Sequence, residues 1–209
     1  MKVLIVDDHP VVRRGLRQIL ADEYKALVAG EAQNAQEALR LIREQDWDIV
    51  VLDISMPGRN GLEVLKEVRQ LRPKLPVLIL TSYPEEQYAI RMLKAGARGY
   101  MTKEGAPEHL IEAVRKVTRG GYYVSPSLAE VLAFTLTAAQ ERPPHEQLSD
   151  REYQVLCMIA SGKTVSQIAG ELSLSVKTIS TYRARLLEKM RMKTNAELTH
   201  YAISNKLIG

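Results

Sequence analysis

A short apolar run that ends in two carboxylates, KVLIVDD at residues 2–8, stands near the start of the chain. A continuous apolar run of this length, rich in β-branched residues, is typical of a strand buried on both faces of a parallel sheet. Residues 10–20 follow with a helical spacing of apolar side chains and a proline at the first position, where its missing N–H costs nothing. The segment therefore predicts a β–α unit.

The same alternation of strand and helix recurs along the first 120 residues. Further strands are predicted at 26–30, 49–52, 77–80 and 99–101, and further helices at 35–43, 62–71, 85–95 and 107–119, with Asn60 capping the third helix. Five such units predict an α/β fold with a doubly wound five-stranded parallel sheet and helices on both faces. In this architecture, binding sites form at the carboxyl ends of the strands.

The last third of the chain has a different pattern. A helix is predicted over residues 125–139 and an exposed linker with two prolines over 141–146. Only helices follow, at 150–160, 165–172, 176–190 and 195–204. Two short helices and then a basic one form the helix-turn-helix pattern. We therefore divide the chain into an α/β domain at 1–121, a linker with a short helix at 122–147, and a small all-α helix-turn-helix domain at 148–209.

Charge is distributed unevenly along this chain of 209 residues and net charge +4. Residues 148–209 hold nine lysines and arginines against five acids, which leaves twenty of each for residues 1–147. A basic part joined to a neutral part indicates a polyanion-binding module and a controlling module. Aromatic residues make up only 5% of the chain, so stacking platforms for single-stranded nucleic acid are not expected.

The single cysteine and the short apolar runs indicate the cellular compartment in which the protein is expected. Cys157 cannot form an internal disulfide, and its apolar helical neighbours predict a buried core residue. A free cysteine fits a reducing, cytoplasmic setting. No apolar run approaches the length that spans a bilayer, and carboxylates stop the run at residues 3–6, so neither a signal peptide nor membrane contact is expected.

Polar residues stand where the predicted strands end. Asp7 and Asp8 follow the first strand, Asp53 the third and Thr81 the fourth, and Lys103 lies just past the fifth. Carboxylate oxygens with open positions suit Mg²⁺, and an aspartate beside a metal and a lysine can accept a phosphoryl group. Each residue alone is more often a helix cap or a surface charge, so the prediction depends on their convergence.

The first 120 residues resemble the receiver domain of response regulators, which has a flavodoxin-like fold. The matching stretches are VDDH at 6–9, LDISMPG at 52–58, Gly61, LTS at 80–82, and AGA at 95–97 through GYMTK at 99–103. The resemblance implies that Asp53 is the phosphoacceptor. It also implies that Mg²⁺ is bound by Asp53, Asp8 and the main-chain carbonyl of Ser55, and by Asp7 through water.

The same resemblance implies a conformational switch. Thr81 would move to hydrogen-bond the phosphoryl group, Lys103 would pair with a phosphoryl oxygen, and Tyr100 would swing inward and change the surface around the fourth helix and fifth strand. From its position alone, Tyr100 is more readily interpreted as an ordinary packing residue. Two residues depart from the family pattern. Asn60 stands where aspartate is frequent, and Glu104 replaces a frequent proline, without which a cis peptide after Lys103 would cost about 3–4 kcal/mol.

Residues 148–209 resemble the LuxR-type DNA-binding domain of the NarL/FixJ class. The match includes LSDREYQVL at 148–156, IASG at 159–162, IA at 168–169, LSLSVKTI at 172–179 and LLEKM at 186–190, and KTISTY at 177–182 is closest to the BvgA/EvgA/RcsB branch. DNA contacts are expected from Lys177, Thr178, Ser180, Thr181, Arg183, Ala184 and Arg185. Many relatives have lysine where Ser180 stands, so a different sequence preference is expected. In the family two copies bind adjacent half-sites, and the 195–204 helix would pack the domain alone or also the dimer.

These patterns lead to one main hypothesis and two alternatives. The chain is interpreted as a two-component response regulator, a phosphoprotein that a sensor histidine kinase phosphorylates at Asp53. Phosphorylation would control homodimerisation and transcription regulation at double-stranded promoter DNA, with no enzyme activity beyond self-phosphorylation and dephosphorylation. An aspartate-nucleophile phosphatase would need a second aspartate where Ser55 stands. A DNA-binding or scaffold protein with a silent receiver remains the other alternative, and the intact set of Asp7, Asp8, Asp53, Thr81 and Lys103 argues against it.

Overall fold

The computed structural model describes residues 1–57, 59, 61–137 and 143–208. These residues fall into two units, Met1–Leu132 and Ala133–Gly209. Asn60, the predicted helix cap, lies outside the described residues. So do residues 138–142, which include the end of the predicted 125–139 helix and the beginning of the predicted linker.

The first unit is an α/β fold, which confirms the predicted class. Its five strands form one parallel sheet in the order β2-β1-β3-β4-β5. The elements are β1 (Lys2–Val6), α1 (Pro10–Glu23), β2 (Val28–Ala32), α2 (Ala35–Glu44), β3 (Ile49–Leu52), α3 (Gly61–Leu71), β4 (Val77–Thr81), α4 (Glu85–Lys94), β5 (Gly99–Thr102) and α5 (Ala106–Thr118).

The central strands explain the apolar runs in the sequence. Every residue of β3 and β4 is buried, because helices cover both faces of the sheet. On one face, side chains of β1, β3 and β4 pack with α1 and α5 in a core that includes Ile5, Val51, Leu80, Leu20 and Leu110. This packing fixes the strand ends at one edge of the sheet.

The second strand lies two residues later than predicted. The sequence favoured residues 26–30, whereas β2 is Val28–Ala32, in register with β1 from the Lys2–Val28 pair to the Val6–Ala32 pair. The chain turns just before it, where the Leu27 amide donates to the Tyr24 carbonyl over 3.0 Å. The prediction was wrong because Leu27 packs against the core from this turn, so its apolar character does not mark the strand.

The chain after α5 is attached to the edge strand β5. Tyr123 forms a parallel bridge with Gly99, in which the Tyr123 amide donates to the Arg98 carbonyl (2.9 Å) and the Tyr100 amide donates to the Tyr123 carbonyl (3.1 Å). The Ser125 hydroxyl is hydrogen-bonded to the Glu85 carboxylate at the start of α4. A further helix, α6 (Pro126–Thr137), follows.

The second unit is helical, and four of its helices have the predicted bounds. They are α7 (Asp150–Ala160), α8 (Val165–Leu172), α9 (Val176–Met190) and α10 (Asn195–Ser204). A short 3-10 helix, Pro144–Gln147, forms where an exposed linker was predicted, and His145 Nδ1 lies 2.8 Å from the Tyr201 hydroxyl. Cys157 is buried, as predicted. Across the described part of the chain, no helix is both long and apolar enough to cross a bilayer.

Gly61, the first residue of α3, lies close against the backbone of the loop after β3. A Cβ at this position would lie 2.4 Å from the Ile54 Cα, which is backbone and cannot rotate away. We expect Gly61→Ala to lower the free energy of unfolding of the first unit by about 1–3 kcal/mol. Urea titration followed by the fluorescence of Trp47, the single tryptophan, measures this unit selectively.

Gly15→Ala is the matched control for Gly61→Ala. Nothing lies within 4 Å of a Cβ at Gly15, which is exposed in the middle of α1. This variant should stabilise the unit by about 0.5–1 kcal/mol, because alanine loses less backbone entropy in a helix than glycine does. Equal denaturation midpoints for the two variants would contradict the account of the Gly61 contact.

Candidate functional site

The polar residues predicted to converge lie together at one edge of the sheet. Asp7 and Asp53 directly follow β1 and β3, Thr81 is the last residue of β4, and Lys103 comes after β5. The hydrogen-bond ladder between β1 and β3 continues to this edge, where the Asp53 amide donates to the Val6 carbonyl over 2.8 Å. The sheet register therefore positions these side chains around one crevice.

Lys103 is the positive charge at the centre of the crevice. Its Nζ lies 2.7 Å from Asp53 Oδ2 and 2.7 Å from Asp7 Oδ2. Both aspartates are only 1% exposed. Burial lowers the pKa of the Lys103 ammonium, but its hydrogen bonds and charge interactions with Asp53 and Asp7 outweigh this effect and raise the pKa above the ordinary value of lysine.

The acidic cluster has the chemistry of a site for a hard divalent cation. Asp7, Asp8, His9 and Asp53 each offer one ligand atom, and these atoms all lie within 4.8 Å of one another. Two of these carboxylate oxygens, Asp7 Oδ2 and Asp8 Oδ1, are buried, and each has one polar contact: Lys103 Nζ at 2.7 Å from Asp7 Oδ2 and His9 Nδ1 at 2.9 Å from Asp8 Oδ1. A carboxylate oxygen with one contact keeps a further lone pair, and clustered carboxylate oxygens are the donors that Mg²⁺ prefers, so the residues present fit this ion.

Ser55 contacts both the buried aspartate and the threonine. Its main-chain amide donates to Asp53 Oδ1 over 2.8 Å, and its Oγ lies 2.7 Å from Thr81 Oγ1. The sequence had singled out only the main-chain carbonyl of Ser55. The hydrogen bond between the two hydroxyls was missed, because spacing alone does not tell whether a side chain in the loop after β3 points toward one at the end of β4.

Sequence reasoning also missed two residues on the β1–α1 side of the crevice. Arg13, which is nearly buried, donates from Nη1 to the Asp7 carbonyl (2.7 Å) and from Nε to Glu31 Oε2 (3.0 Å). The His9 amide donates to Asp7 Oδ1 over 2.8 Å, and the His9 Nδ1 lies 2.9 Å from Asp8 Oδ1. An arginine within a helix is normally an exposed charge, so Arg13 gave no signal in the sequence.

Tyr100 is fully buried, with its hydroxyl at the start of α4. The hydroxyl donates to the Tyr83 carbonyl over 2.9 Å. Burial, and then the nearby carboxylates of Glu85 and Asp53, raise the pKa of the Tyr100 hydroxyl far above its ordinary value. The peptide bond that follows Lys103 is trans, as are all the others in the described residues.

Removal of the Tyr100 hydroxyl should have a measurable cost. We expect Tyr100→Phe to lower the free energy of unfolding of the first unit by about 1 kcal/mol, because a buried hydrogen bond is lost. The Trp47 fluorescence in a urea titration reports the change. Tyr122→Phe is the control, since Tyr122 is half exposed, and it should leave the midpoint unchanged. A similar fall in the free energy of unfolding in both variants would show that the Tyr100 hydrogen bond makes no specific contribution to stability.

The second unit presents a basic helix after a tight turn. Ser173 adopts the left-handed conformation (φ +54°) between α8 and α9, and the Ser175 hydroxyl caps α9 by accepting from the Thr178 amide over 3.0 Å. Ile179, Leu186 and Met190 are the buried stripe of α9. Lys189 extends from α9 to the buried carboxylate of Glu152, over 2.7 Å.

The predicted DNA-contacting residues of α9 fall into two groups. Five of them are exposed: Lys177, Ser180, Thr181, Ala184 and Arg185. The other two are partly buried and make contacts inside the unit. Thr178 Oγ1 lies 2.7 Å from the Ser175 hydroxyl, and Arg183 Nε donates to Asn195 Oδ1 over 2.7 Å.

Comparison with known families identifies both units. Residues 3–115 match the family described as response regulator receiver domain, and residues 146–202 match the bacterial regulatory proteins of the luxR family. A receiver joined to a luxR-family domain defines a class of transcription regulators in two-component signalling. The chain belongs to this family, the response regulators of the NarL/FixJ type, as its motifs predicted.

Individual relatives match over nearly the full length. The chain is 38% identical to the response regulator GacA of Pseudomonas aeruginosa over 209 residues, which cover 100% of this chain and 98% of GacA. It is 36% identical to the response regulator UvrY of Escherichia coli, with 99% of this chain and 95% of UvrY covered. A structure of RcsB from Salmonella enterica serovar Typhimurium, bound to promoter rprA with phosphomimetic BeF3⁻, matches with a TM-score of 0.66 at 26% identity, and the match covers 96% of this chain and 97% of RcsB.

Proposed function

We propose that phosphorylation of Asp53 by a sensor histidine kinase activates this response regulator for binding to promoter DNA. The observation that carries the proposal is the crevice itself, in which Asp53 and Asp7 contact the ammonium of Lys103 and Asp8 lies in the same carboxylate cluster. A nucleophilic carboxylate, a cation site and a fixed ammonium are the groups that phosphoryl transfer to aspartate requires.

The residues of the crevice would divide the work of the reaction. An Asp53 oxygen attacks phosphorus while the bond between phosphorus and the donor's leaving group breaks. The Ser55 amide orients the carboxylate from Oδ1, and Lys103 neutralises charge on the transferred oxygens. Mg²⁺ held by Asp8, Asp53, the Ser55 carbonyl and, through water, Asp7 would supply further positive charge. The receiver would thereby catalyse its own phosphorylation and, with water as the nucleophile, its dephosphorylation.

The switch would start at Thr81. The Thr81 hydroxyl would leave the Ser55 Oγ to hydrogen-bond the phosphoryl group, and Lys103 would remain paired with a phosphoryl oxygen. The Tyr100 hydroxyl, bonded to the Tyr83 carbonyl before α4, would couple this movement to the surface of α4 and β5.

DNA binding would use α9 as the recognition helix in the major groove. Lys177 and Arg185 would contact phosphates, and Ser180, Thr181 and Ala184 would face base edges. Thr178 and Arg183 would contribute by holding α9 in place. RcsB has been solved as two dimers bound to two parallel DNAs. By analogy, we propose that this chain binds DNA as a homodimer.

The organisation of the chain is part of the proposal. We propose a receiver at 1–121, a linker at 122–147 and a DNA-binding domain at 148–209, with the linker carrying the phosphorylation signal between them. The proposed binding to promoter DNA and the free thiol of Cys157 both favour a cytoplasmic location.

Binding to DNA with and without phosphorylation tests the function. Duplexes are first selected from random DNA by the full-length chain with Mg²⁺ and acetyl phosphate. The affinity for a selected duplex should then rise about tenfold on addition of acetyl phosphate, and sedimentation should show a dimer. Asp53→Asn should bind with the unphosphorylated affinity under both conditions. Equal affinity of the wild type under both conditions would favour a DNA-binding protein that does not depend on phosphorylation.

A further inference from the structure

Val176 is an exposed apolar residue that was not among the predicted DNA-contacting residues. It is the first residue of α9, and half of its surface is exposed. Residues at the start of a recognition helix contact base edges in the major groove. An apolar side chain at this place therefore raises the question of which base it would contact.

Over residues 176–185, the exposed face of α9 contains two adjacent rows, since residues four apart lie above one another on a helix. One row contains Val176, Ser180 and Ala184, and the other contains Lys177, Thr181 and Arg185; all six are exposed. Lys177 and Arg185 stand on either side of Thr181 in the second row, and the side chains of Ser180, Thr181 and Ala184 are small. The small side chains allow α9 to approach the bases closely.

The two hydroxyls on this face are committed as donors. Ser180 Oγ donates to the Val176 carbonyl over 2.9 Å, and Thr181 Oγ1 donates to the Lys177 carbonyl over 3.0 Å. A hydroxyl has a single hydrogen, so each oxygen can only accept from DNA. The base amines in the major groove are adenine N6 and cytosine N4, whereas guanine offers only acceptors there. This face therefore has no hydroxyl donor for guanine.

Apart from the charged ends of Lys177 and Arg185, the remaining groups on the face are methyls, from Val176, Thr181 and Ala184. Thymine is the only unmodified base with a methyl group in the major groove. A·T is consequently the only base pair that offers both an amine for a hydroxyl acceptor and a methyl for an apolar contact.

We propose that the first turns of α9 read A·T base pairs: Val176 and Thr181 contact thymine methyl groups, and Ser180 accepts from the adenine amine. Lys177 and Arg185 then hold the phosphates on either side and set the salt dependence without choosing the base. The inference rests on the proposed docking of α9 in the major groove and adds the base pairs that it selects.

The test removes thymine methyls one at a time. The full-length chain selects duplexes from random DNA, and each thymine of a selected half-site is then replaced by deoxyuridine, which lacks only the methyl. At one or more positions in each half-site, the wild-type affinity should fall about fourfold, the value of one buried methyl group. Half-sites without A·T pairs, or no replacement that changes the affinity by as much as twofold, would overturn the inference.

Variants that lose only methyl groups assign the contacts. Thr181→Ser keeps the hydroxyl and Val176→Ala keeps the helix, and each should bind thymine and deoxyuridine duplexes equally at one position where the wild type discriminates. Lys177→Gln is the matched control. It should weaken binding to every duplex and reduce the salt dependence, yet keep the full discrimination. Undiminished discrimination in both methyl variants would overturn the inference. If no duplex is selected at all, the proposed DNA binding itself fails.

Discussion

One phosphoryl group is expected on the wild-type chain, and none on Asp53→Asn, after incubation with Mg²⁺ and acetyl phosphate. Asparagine has nearly the shape of aspartate and can still accept the hydrogen bond that the Ser55 amide donates to Oδ1. It lacks the carboxylate charge that attacks phosphorus, so labelling should be lost completely while the fold is retained. Intact-protein mass spectrometry counts the groups transferred.

The design of this experiment separates three explanations. Asp46→Asn is the control for the loss of one carboxylate, because Asp46 is highly exposed, and it should be labelled like the wild type. A phosphoryl group on Asp53→Asn as well would mean that another carboxylate of the crevice accepts it. An unlabelled wild type, under conditions that label another receiver, would indicate a regulator that works without phosphorylation.

Lys103→Met should destabilise the first unit strongly in the absence of divalent cations. The substitution leaves the buried carboxylates of Asp7 and Asp53 without the ammonium that lies 2.7 Å from each. We expect the free energy of unfolding to fall by about 3 kcal/mol in EDTA, the loss that follows removal of one partner from a buried ion pair. Urea titration followed by Trp47 fluorescence measures the change.

Magnesium should restore most of the stability of Lys103→Met, because an ion that binds only the folded acidic cluster stabilises it and supplies the missing charge. Lys116→Met, in which an exposed lysine of α5 is lost, should behave like the wild type in both buffers. A loss of stability that Mg²⁺ does not change would argue against charge as its cause.

The pH dependence of the Lys103 effect follows from the raised pKa of its ammonium. A group whose pKa is raised by folding contributes stability fully below its unfolded pKa and loses it as the pH rises through the folded pKa. The difference between wild type and Lys103→Met should therefore be constant at neutral pH and shrink only in strongly alkaline buffer.

The predicted helix starts of the second unit coincide with cap residues in the structure. Ser149, Thr164, Ser175 and Thr194 each accept a hydrogen bond from an amide three residues on, and each immediately precedes a helix whose bounds were predicted. Caps are local, so the sequence contains them. The edge strand β2 was misplaced because its position depends on pairing with β1, which is not local.

The convergence of the crevice residues could be predicted because the parallel arrangement of the strands could be predicted. Once the apolar runs are read as parallel strands, their carboxyl ends must meet, and this places Asp7, Asp53, Thr81 and Lys103 together. The hydrogen bonds from Arg13 to the Asp7 carbonyl and between the Ser55 and Thr81 hydroxyls depend on side-chain directions that only the packed structure defines. The hydrogen bonds that the Ser180 and Thr181 hydroxyls donate within α9 also depend on side-chain directions that the sequence does not reveal.

The bridge between Tyr123 and β5 bears on how a receiver fragment should be cut. A fragment that stops at Gly121 loses the chain that hydrogen-bonds the Arg98 carbonyl and the Tyr100 amide, and so uncovers an edge of the sheet. Bare strand edges pair with other chains, which leads to self-association and aggregation. A fragment that ends at Leu132 keeps this edge covered, and the few residues beyond α5 would decide whether the isolated receiver stays monomeric.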